Sequence, residues 1–211
     1  MRDERCLMRL NRKIIVMLLL GVFSVAMAGA EECDYSQSVR SDFSSRDSLL
    51  QYSSASYNDS WGPKPTHYSA PQIPSACDPI QWQQQRIIAV AEKYIGLPYK
   101  HHHIPAFNDG SGVGLDCSNF TAWVYNYGLG IAINSGITKQ ANTAGRQLSQ
   151  GESLQPGDLL FIRTEDDSRI SHVVIYVDSG HIIDDHASGV KIREFKGWYK
   201  NHFAYARRVI N

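Results

Sequence analysis

The sequence predicts an α+β domain, in which helices come first and an antiparallel sheet of about five strands follows. Two observations predict this class. Apolar residues recur at helical spacing in residues 81–94 and again in the segment after Asp116. Short strand-like runs separated by turn residues then occupy residues 158–210. We expect residues 78–211 to form one domain, because about 130 residues suffice for a single core.

The first predicted helix begins after Asp78. Asp78 suits the capping position, and Pro79 suits the first helical position, where the N–H that proline lacks would be unpaired. The helix should end near Gly96. Its expected buried stripe consists of Trp82, Ile87, Ile88, Ala91 and Tyr94.

Glycine and proline bound the remaining elements. A second helix is expected from Cys117 to the GLG sequence at residues 128–130, and a short third helix at residues 138–148. Five strands are expected at residues 158–163, 172–177, 181–184, 190–195 and 203–210.

The first 28 residues have the pattern of a secretory signal peptide. Five basic residues precede the apolar run 14–28, and small residues of the cleavage type lie at its end. The run is shorter than a comfortable membrane span of about 20 residues. We therefore expect a periplasmic or secreted protein that has no stable membrane anchor after cleavage. We also expect it to be a monomer.

The charge of the chain does not favour two classes of partner. The full chain has 21 basic and 21 acidic side chains, and removal of residues 1–28 would leave 16 basic and 19 acidic ones. The resulting formal charge of about −3 gives no support for binding to nucleic acid or to anionic membranes.

Residues 29–77 are rich in Ser, Tyr, Gln, Asp and Pro, and this composition predicts an irregular extension. Three cysteines lie beyond residue 28, namely Cys33, Cys77 and Cys117. An oxidising compartment favours the pairing of two of them. The simplest assignment is a Cys33–Cys77 disulfide that ties the extension to the domain. This assignment leaves Cys117 as a free thiol. The alternative is that all three cysteines are incidental, which fits Cys117 less well than the other two.

Cys117 follows a glycine-rich segment and opens the second helix, so its sulfur should lie on the first helical turn. Unpaired N–H groups and the positive end of the helix dipole favour a thiolate there. His172 begins a β-forming run, and a rigid strand can hold its imidazole against that sulfur. Cysteine on a helix start and histidine on a strand is the arrangement of papain-like enzymes.

Side-chain alternation identifies two residues that could orient His172. A three-residue hairpin loop at 178–180, with Gly180 left-handed, would pair Val177 with His181. Asp184 and His186 would then project on the face of His172. We prefer Asp184, because a carboxylate also stabilises the imidazolium. The alternatives are His186, or a solvated acidic turn, and a slip of one residue would reverse the assignment.

Three motifs together resemble the NlpC-type cell-wall peptidases. They are DCS at residues 116–118, LQPGDLLF at 154–161 and SHVVIYV at 171–177, and the resemblance covers residues 81–210. It implies a papain-like fold and a secreted cysteine peptidase without a cofactor. The expected substrate is the stem peptide of peptidoglycan, cleaved in many members between D-glutamate and a diamino acid.

The resemblance also implies roles for individual residues. Cys117, His172 and Asp184 would be catalytic, although the family commonly has histidine at the position of Asp184. Tyr99 matches a tyrosine that lies beside the nucleophile in the family. Asp116, Ser118 and His186 are expected near the nucleophile or the substrate.

Two further features depart from the family pattern. Asn119 replaces a common glycine, and three consecutive histidines, residues 101–103, follow Tyr99 and Lys100. The three histidines could shape substrate binding near the cleft, or they could be solvated loop residues. Adjacent histidines on a loop rarely converge on a metal without other ligands, so no metal site is expected.

Three other functions remain open from the sequence. The same residues could catalyse another amide hydrolysis or an acyl transfer, on a wall or a non-wall substrate. The domain could instead be a non-catalytic binding module, with Asn119 and Asp184 as the only support. It could also be a structural envelope protein that recruits partners through the extension.

Overall fold

The computed structural model describes residues 32, 33, 35, 52–58, 62–65, 69–101 and 115–211. The predicted signal peptide, the glycine-rich segment 109–114, His102 and His103 lie outside the described residues. Within the described ranges, no helix has the length and apolar character needed to span a membrane.

Helices α1 and α2 form the first layer of the domain. Helix α1 spans Pro79–Lys93, and the Asp78 side chain accepts the backbone N–H of Gln81 at 2.8 Å, as its predicted capping role requires. Helix α2 spans Cys117–Leu129 and ends at Gly130, which is left-handed. The two helices approach closely at Gly128, where an added Cβ would lie 3.1 Å from a methyl of Ile87.

The second layer is a six-stranded antiparallel sheet. Its strands are β3 (Arg146–Gln147), β4 (Leu159–Arg163), β5 (Ile170–Asp178), β6 (His181–His186), β7 (Gly189–Glu194) and β8 (Phe203–Arg208). Their order across the sheet is β3-β8-β4-β5-β6-β7. Five of them correspond to the predicted strands, and the predicted α+β class is confirmed.

Two elements differ from the sequence-based expectation. The third helix, α3, spans only Ile137–Thr143, and β3 occupies part of the range expected to be helical. The chain turns at Gly145, whose φ is +57°, and an added Cβ there would lie 2.0 Å from the carbonyl oxygen of Arg208. Glycine therefore ends the helical stretch and lets β3 pair with β8. A fourth helix, α4 (Trp198–Asn201), was not expected.

The sheet buries a cluster of apolar side chains on each face. Val173, Ile175 and Ile183 belong to the larger cluster, together with Phe120 and Trp123 of α2. The residues that alternate with them belong to a smaller cluster on the other face, which the aromatic residues of α4 help to cover. Its buried members are Leu160, Ile162, Val174, Ile182 and Ala206.

The β5–β6 hairpin has the predicted register but not the predicted loop. Ile175 pairs with Ile183 and Tyr176 with Ile182, which is the register expected from the sequence. The expected Val177–His181 pair is wrong, because a bulge shifts the closing pair to Asp178 and His181. The loop is therefore one residue shorter than predicted, and Gly180 has a φ of 144° rather than a left-handed helical value.

The extension contains regular structure and a covalent link to the domain. Strands β1 (Tyr52–Asn58) and β2 (Gly62–Pro65) form an antiparallel pair inside the segment expected to be irregular. The longer strand contains Tyr52 and Tyr57, and tyrosine favours β structure. The expected disulfide between Cys33 and Cys77 is present. Tyr35 also donates a hydrogen bond to Gln81 of α1 at 2.8 Å.

Candidate active site

Cys117 is the first residue of α2, as expected, and it is 7% exposed. Among the described residues it is the free cysteine. Asp116 caps the helix, and its Oδ1 accepts the N–H of Asn119 at 2.8 Å and the hydroxyl of Ser118 at 3.2 Å. The backbone N–H of Cys117 lies in the first turn, where no helical carbonyl can accept it. The sulfur therefore lies at the positive end of the helix.

His172 of β5 is buried beside Cys117, close enough for the sulfur to act on the pKa of the imidazole. Burial lowers the pKa of the imidazole, but the negative charge of the Cys117 sulfur and the hydrogen bonds to Asp184 and Cys117 raise it more strongly. The resulting pKa of His172 is about 10. The site thus favours a protonated imidazole beside the Cys117 sulfur.

Asp184 of β6 lies on the other side of the imidazole ring. Nε2–H of His172 donates a hydrogen bond to Oδ2 of Asp184, with 2.7 Å between the two atoms. The same carboxylate oxygen accepts the hydroxyl of Tyr199 at 2.8 Å, and Oδ1 accepts Nε–H of Arg193 at 2.5 Å. Burial raises the pKa of Asp184, but these partners lower it below its ordinary value. Asp184 is therefore a carboxylate.

The bond to Asp184 decides which ring nitrogen faces the sulfur. Since Nε2 of His172 is bound to Asp184, Nδ1 is the nitrogen that remains for Cys117. His186, the other predicted orienter, meets the His172 ring edge-on, with the ring centroids 5.2 Å apart. The geometry of the ring nitrogens therefore favours Asp184 over His186 as the orienting residue.

Tyr99 lies in the segment that runs beside the start of α2. Its backbone forms a parallel bridge with Leu115, two residues before Cys117. Burial, followed by the charges of Cys117, Asp116 and Asp185, raises the pKa of Tyr99 to about 12. The phenol of Tyr99 therefore stays protonated near Cys117. Its oxygen lies 3.2 Å from Nδ1 of His101.

Sequence reasoning missed Arg193 and Tyr199, the two residues that hold Asp184 besides His172. Arg193 pairs with Ile182 across the β6–β7 hairpin and is thus a diagonal neighbour of Asp184 on the same face. Extension of the hairpin register by one strand would have identified it. No sequence signal marks α4, which carries Tyr199 and is only four residues long.

Aromatic rings surround the imidazole on the α4 side. The Trp198 ring lies 6.3 Å from that of His172 and 6.2 Å from that of His186, measured between centroids. These rings limit the water that can reach His172. Among the described residues, no group of three or more His, Cys, Asp or Glu side chains is arranged to hold a metal ion.

Comparison with curated proteins gives relatives that share this part of the chain. The chain is 36% identical over 112 residues to a Listeria grayi protein named "Probable endopeptidase p60", a match of 53% of this chain and 20% of that protein. It is 31% identical over 99 residues to the gamma-D-glutamyl-L-lysine dipeptidyl-peptidase of Bacillus cereus, a match of 46% of this chain and 27% of the relative. The chain thus spans about a quarter or less of the length of these relatives.

Solved structures share the fold. An NlpC/P60 family protein from Bacillus cereus superposes with a TM-score of 0.52 at 29% identity, over 61% of this chain and 40% of that one. The peptidoglycan hydrolase RipB of Mycobacterium tuberculosis superposes with a TM-score of 0.51 at 22% identity, over 66% and 69% of the two chains, and this likeness concerns the fold alone. Residues 96–208, more than half of the sequence, match the NlpC/P60 family, and the chain belongs to this family.

Proposed function

We propose that this protein is a cysteine peptidase that hydrolyses amide bonds in the stem peptides of peptidoglycan. The observation that carries the proposal is the continuous series of contacts from Cys117 through His172 to Asp184. A nucleophile, a base and a group that orients the base are the requirements of acyl transfer by a cysteine enzyme. The names of the relatives, an endopeptidase and a gamma-D-glutamyl-L-lysine dipeptidyl-peptidase, support the choice of reaction.

The reaction begins with the charged pair. The Cys117 thiolate attacks the carbonyl carbon of the scissile amide, and a C–S bond forms as the carbonyl π electrons move to oxygen. The backbone N–H of Cys117, at the start of α2, donates to this oxyanion. His172 then gives its Nδ1 proton to the departing amine, the C–N bond breaks, and a thioester remains.

Hydrolysis of the thioester regenerates the site. Neutral His172 accepts a proton from water at Nδ1 while the water oxygen attacks the thioester carbonyl. The C–S bond breaks, and the acid product leaves the Cys117 thiolate beside the His172 imidazolium. Asp184 keeps the Nε2 proton on the ring throughout and stabilises the imidazolium in both halves of the reaction.

The bond between D-glutamate and the diamino acid of the stem peptide is the proposed point of cleavage. The name of the Bacillus cereus relative supports this choice, since it specifies a D-glutamyl–lysine link. The catalytic domain would meet this substrate outside the cytoplasmic membrane. The Cys33–Cys77 disulfide supports that location, because such bonds persist in oxidising compartments.

Digestion of purified peptidoglycan tests the proposal. The protein should release fragments whose masses correspond to cleavage after D-glutamate, and Cys117→Ala should reduce the rate by about 10⁴-fold or more. A suitable control is Ser179→Ala, which changes an exposed residue of the β5–β6 turn and should act like the wild type. Fragments cut at the sugar–peptide junction would move the activity to another amide. Full activity of Cys117→Ala would remove the peptidase assignment.

A further inference from the structure

Asp185 is a buried carboxyl group that the proposed mechanism does not use. It follows Asp184 on β6 and is completely inaccessible to solvent. Among the residues that the structure describes, neither of its carboxylate oxygens has a hydrogen-bond partner. An ionised carboxylate without a partner is among the most costly groups to bury, so its charge state needs an explanation.

Charged groups from four elements and one loop surround Asp185. Asp184 lies beside it on β6, and Asp116 caps the helix that carries the nucleophile. These two carboxylates disfavour a further negative charge. The charges of His172 of β5 and Arg193 of β7 lower the pKa of Asp185. The charge of Asp185 in turn raises the pKa of Tyr99. Burial first, and then Asp184 and Asp116, raise the pKa of Asp185 to about 8.

The backbone around Asp185 connects the sheet to the Tyr99 segment. Asp185 pairs with Val190 of β7. The N–H of Val190 donates to the carbonyl of Leu97 at 2.9 Å, and the N–H of Gly96 donates back to the carbonyl of Val190 at 2.9 Å. Gly189 permits this approach, since an added Cβ would lie 2.4 Å from the Leu97 oxygen. The segment that leads to Tyr99 is thus attached to the strand beside Asp185.

We propose that Asp185 is a positioning residue that must keep its proton, so that the β6–β7 hairpin, the Tyr99 segment and the start of α2 stay packed around Cys117. This inference rests on the proposed function for its activity readout, but not for its stability readout. Loss of the proton to solvent leaves an unpaired charge beside two other carboxylates in a site closed to water. The structure can relieve that charge only by opening the contacts that close the site.

The negative charge would also act on the chemistry directly. Attack by the Cys117 thiolate moves negative charge onto the carbonyl oxygen of the substrate, next to the helix start that Asp116 caps. A third carboxylate nearby opposes that charge. Both effects lower activity when Asp185 ionises.

The activity test compares pH profiles within each variant. In the wild type, kcat/KM should be about 10-fold lower at pH 9 than at pH 7, because a group with a pKa of about 8 is mostly ionised one unit higher. Asp185→Asn keeps the shape of the carboxyl and cannot ionise, so its kcat/KM should differ by less than about 2-fold between the two pH values. Glu165→Gln, which removes an exposed carboxyl between β4 and β5, should retain the wild-type difference. An equal fall in Asp185→Asn would overturn the inference.

The stability test does not depend on activity. The folded pKa of Asp185, about 8, is above its ordinary value of 3.8, so the folded state binds this proton more tightly than the unfolded state. The associated stability is fully present below about pH 4 and is lost as the pH rises through about 8. The urea midpoint of the wild type should therefore decrease relative to that of Asp185→Asn between pH 5 and pH 8. A constant difference would contradict the inference even if the protein proved inactive on peptidoglycan.

Carboxyl ¹³C NMR of the wild-type protein measures the pKa of Asp185 without a variant. The Asp185 carboxyl should titrate several pH units above the ordinary range of aspartate, which is about 3.9. Titration of that carboxyl near pH 4 would overturn the inference, whether or not Asp185→Asn folds.

Discussion

Asp184 and Asp185 are neighbours on β6, and both are completely buried, but they face opposite sides of the sheet. Asp184 accepts hydrogen bonds from His172, Arg193 and Tyr199. Asp185 accepts none from the described part of the chain. Burial raises the pKa of each carboxyl, yet the net shift is downward for Asp184 and upward, to about 8, for Asp185.

The difference between the two faces shows that partners, rather than burial, decide the charge of a carboxyl group in this site. Two cations and a phenol hold the charge on Asp184, and that charge in turn makes a second one on Asp185 unfavourable. The site therefore has a charged residue that orients the base and, one position along the strand, a neutral one that fills space. Changes to Asp184 and to the residues around it test this division.

Removal of the Asp184 carboxylate should have the largest effect. Asp184→Ala should lower kcat by about 10³- to 10⁴-fold, because His172 loses the group that fixes its protonated nitrogen. It should also lower the free energy of unfolding by about 3 kcal/mol, since buried partners lose their counter-charge. Peptidoglycan digestion and urea unfolding measure the two effects. A loss of activity below 10-fold would assign the orienting role elsewhere.

Loss of the Arg193 contact should have the next largest effect. Arg193→Gln removes one charged hydrogen bond to Asp184, and we expect kcat/KM to fall by about 10- to 30-fold, as is typical for such bonds at a partly exposed position. Arg193→Lys keeps the charge and should recover part of this loss. Equal activity of the glutamine variant and the wild type would show that His172 and Tyr199 suffice to hold Asp184.

Tyr199→Phe should have a smaller effect than either change. It removes one neutral donor to Asp184 Oδ2 and leaves the ring in place, so a loss of about 1 kcal/mol, or about 5-fold in kcat/KM, is expected. Tyr205→Phe is a matched control, because its hydroxyl donates to the carbonyl of Ala141 instead. If the two variants were equally active, the hydroxyl of Tyr199 would have no role in the site.

His186→Ala should have the smallest effect on activity. His186 touches the ring of His172 only edge-on and is exposed, so we expect kcat/KM to change by less than about 3-fold. A loss as large as that of Asp184→Ala would reverse the preference between the two predicted orienting residues.

Local patterns were sufficient to predict much of the fold. The cap at Asp78, the start of α2 at Cys117 and the register between β5 and β6 depend on spacing within one element or one hairpin. The register in turn predicted that Asp184 would lie near His172. The family resemblance contributed the position of Tyr99, which no spacing rule could supply.

Features that depend on distant contacts were not predicted. Tyr199 reaches Asp184 only because a four-residue helix follows Gly197, and its position depends on packing against the sheet. The bulge before Asp178 depends on the tight turn that follows it. The acidic pair at 184–185 looked like either an orienting group or a solvated turn, and only the burial of both residues distinguishes these possibilities.

The most direct test of the charged pair is an NMR titration of the His172 imidazole. We expect a pKa of about 10 in the wild-type protein, and lower values in Cys117→Ala and in Asp184→Asn, because each substitution removes a negative partner of the ring. A wild-type pKa near the ordinary 6.5, or one that neither substitution moves, would contradict a thiolate and an imidazolium held together by Asp184.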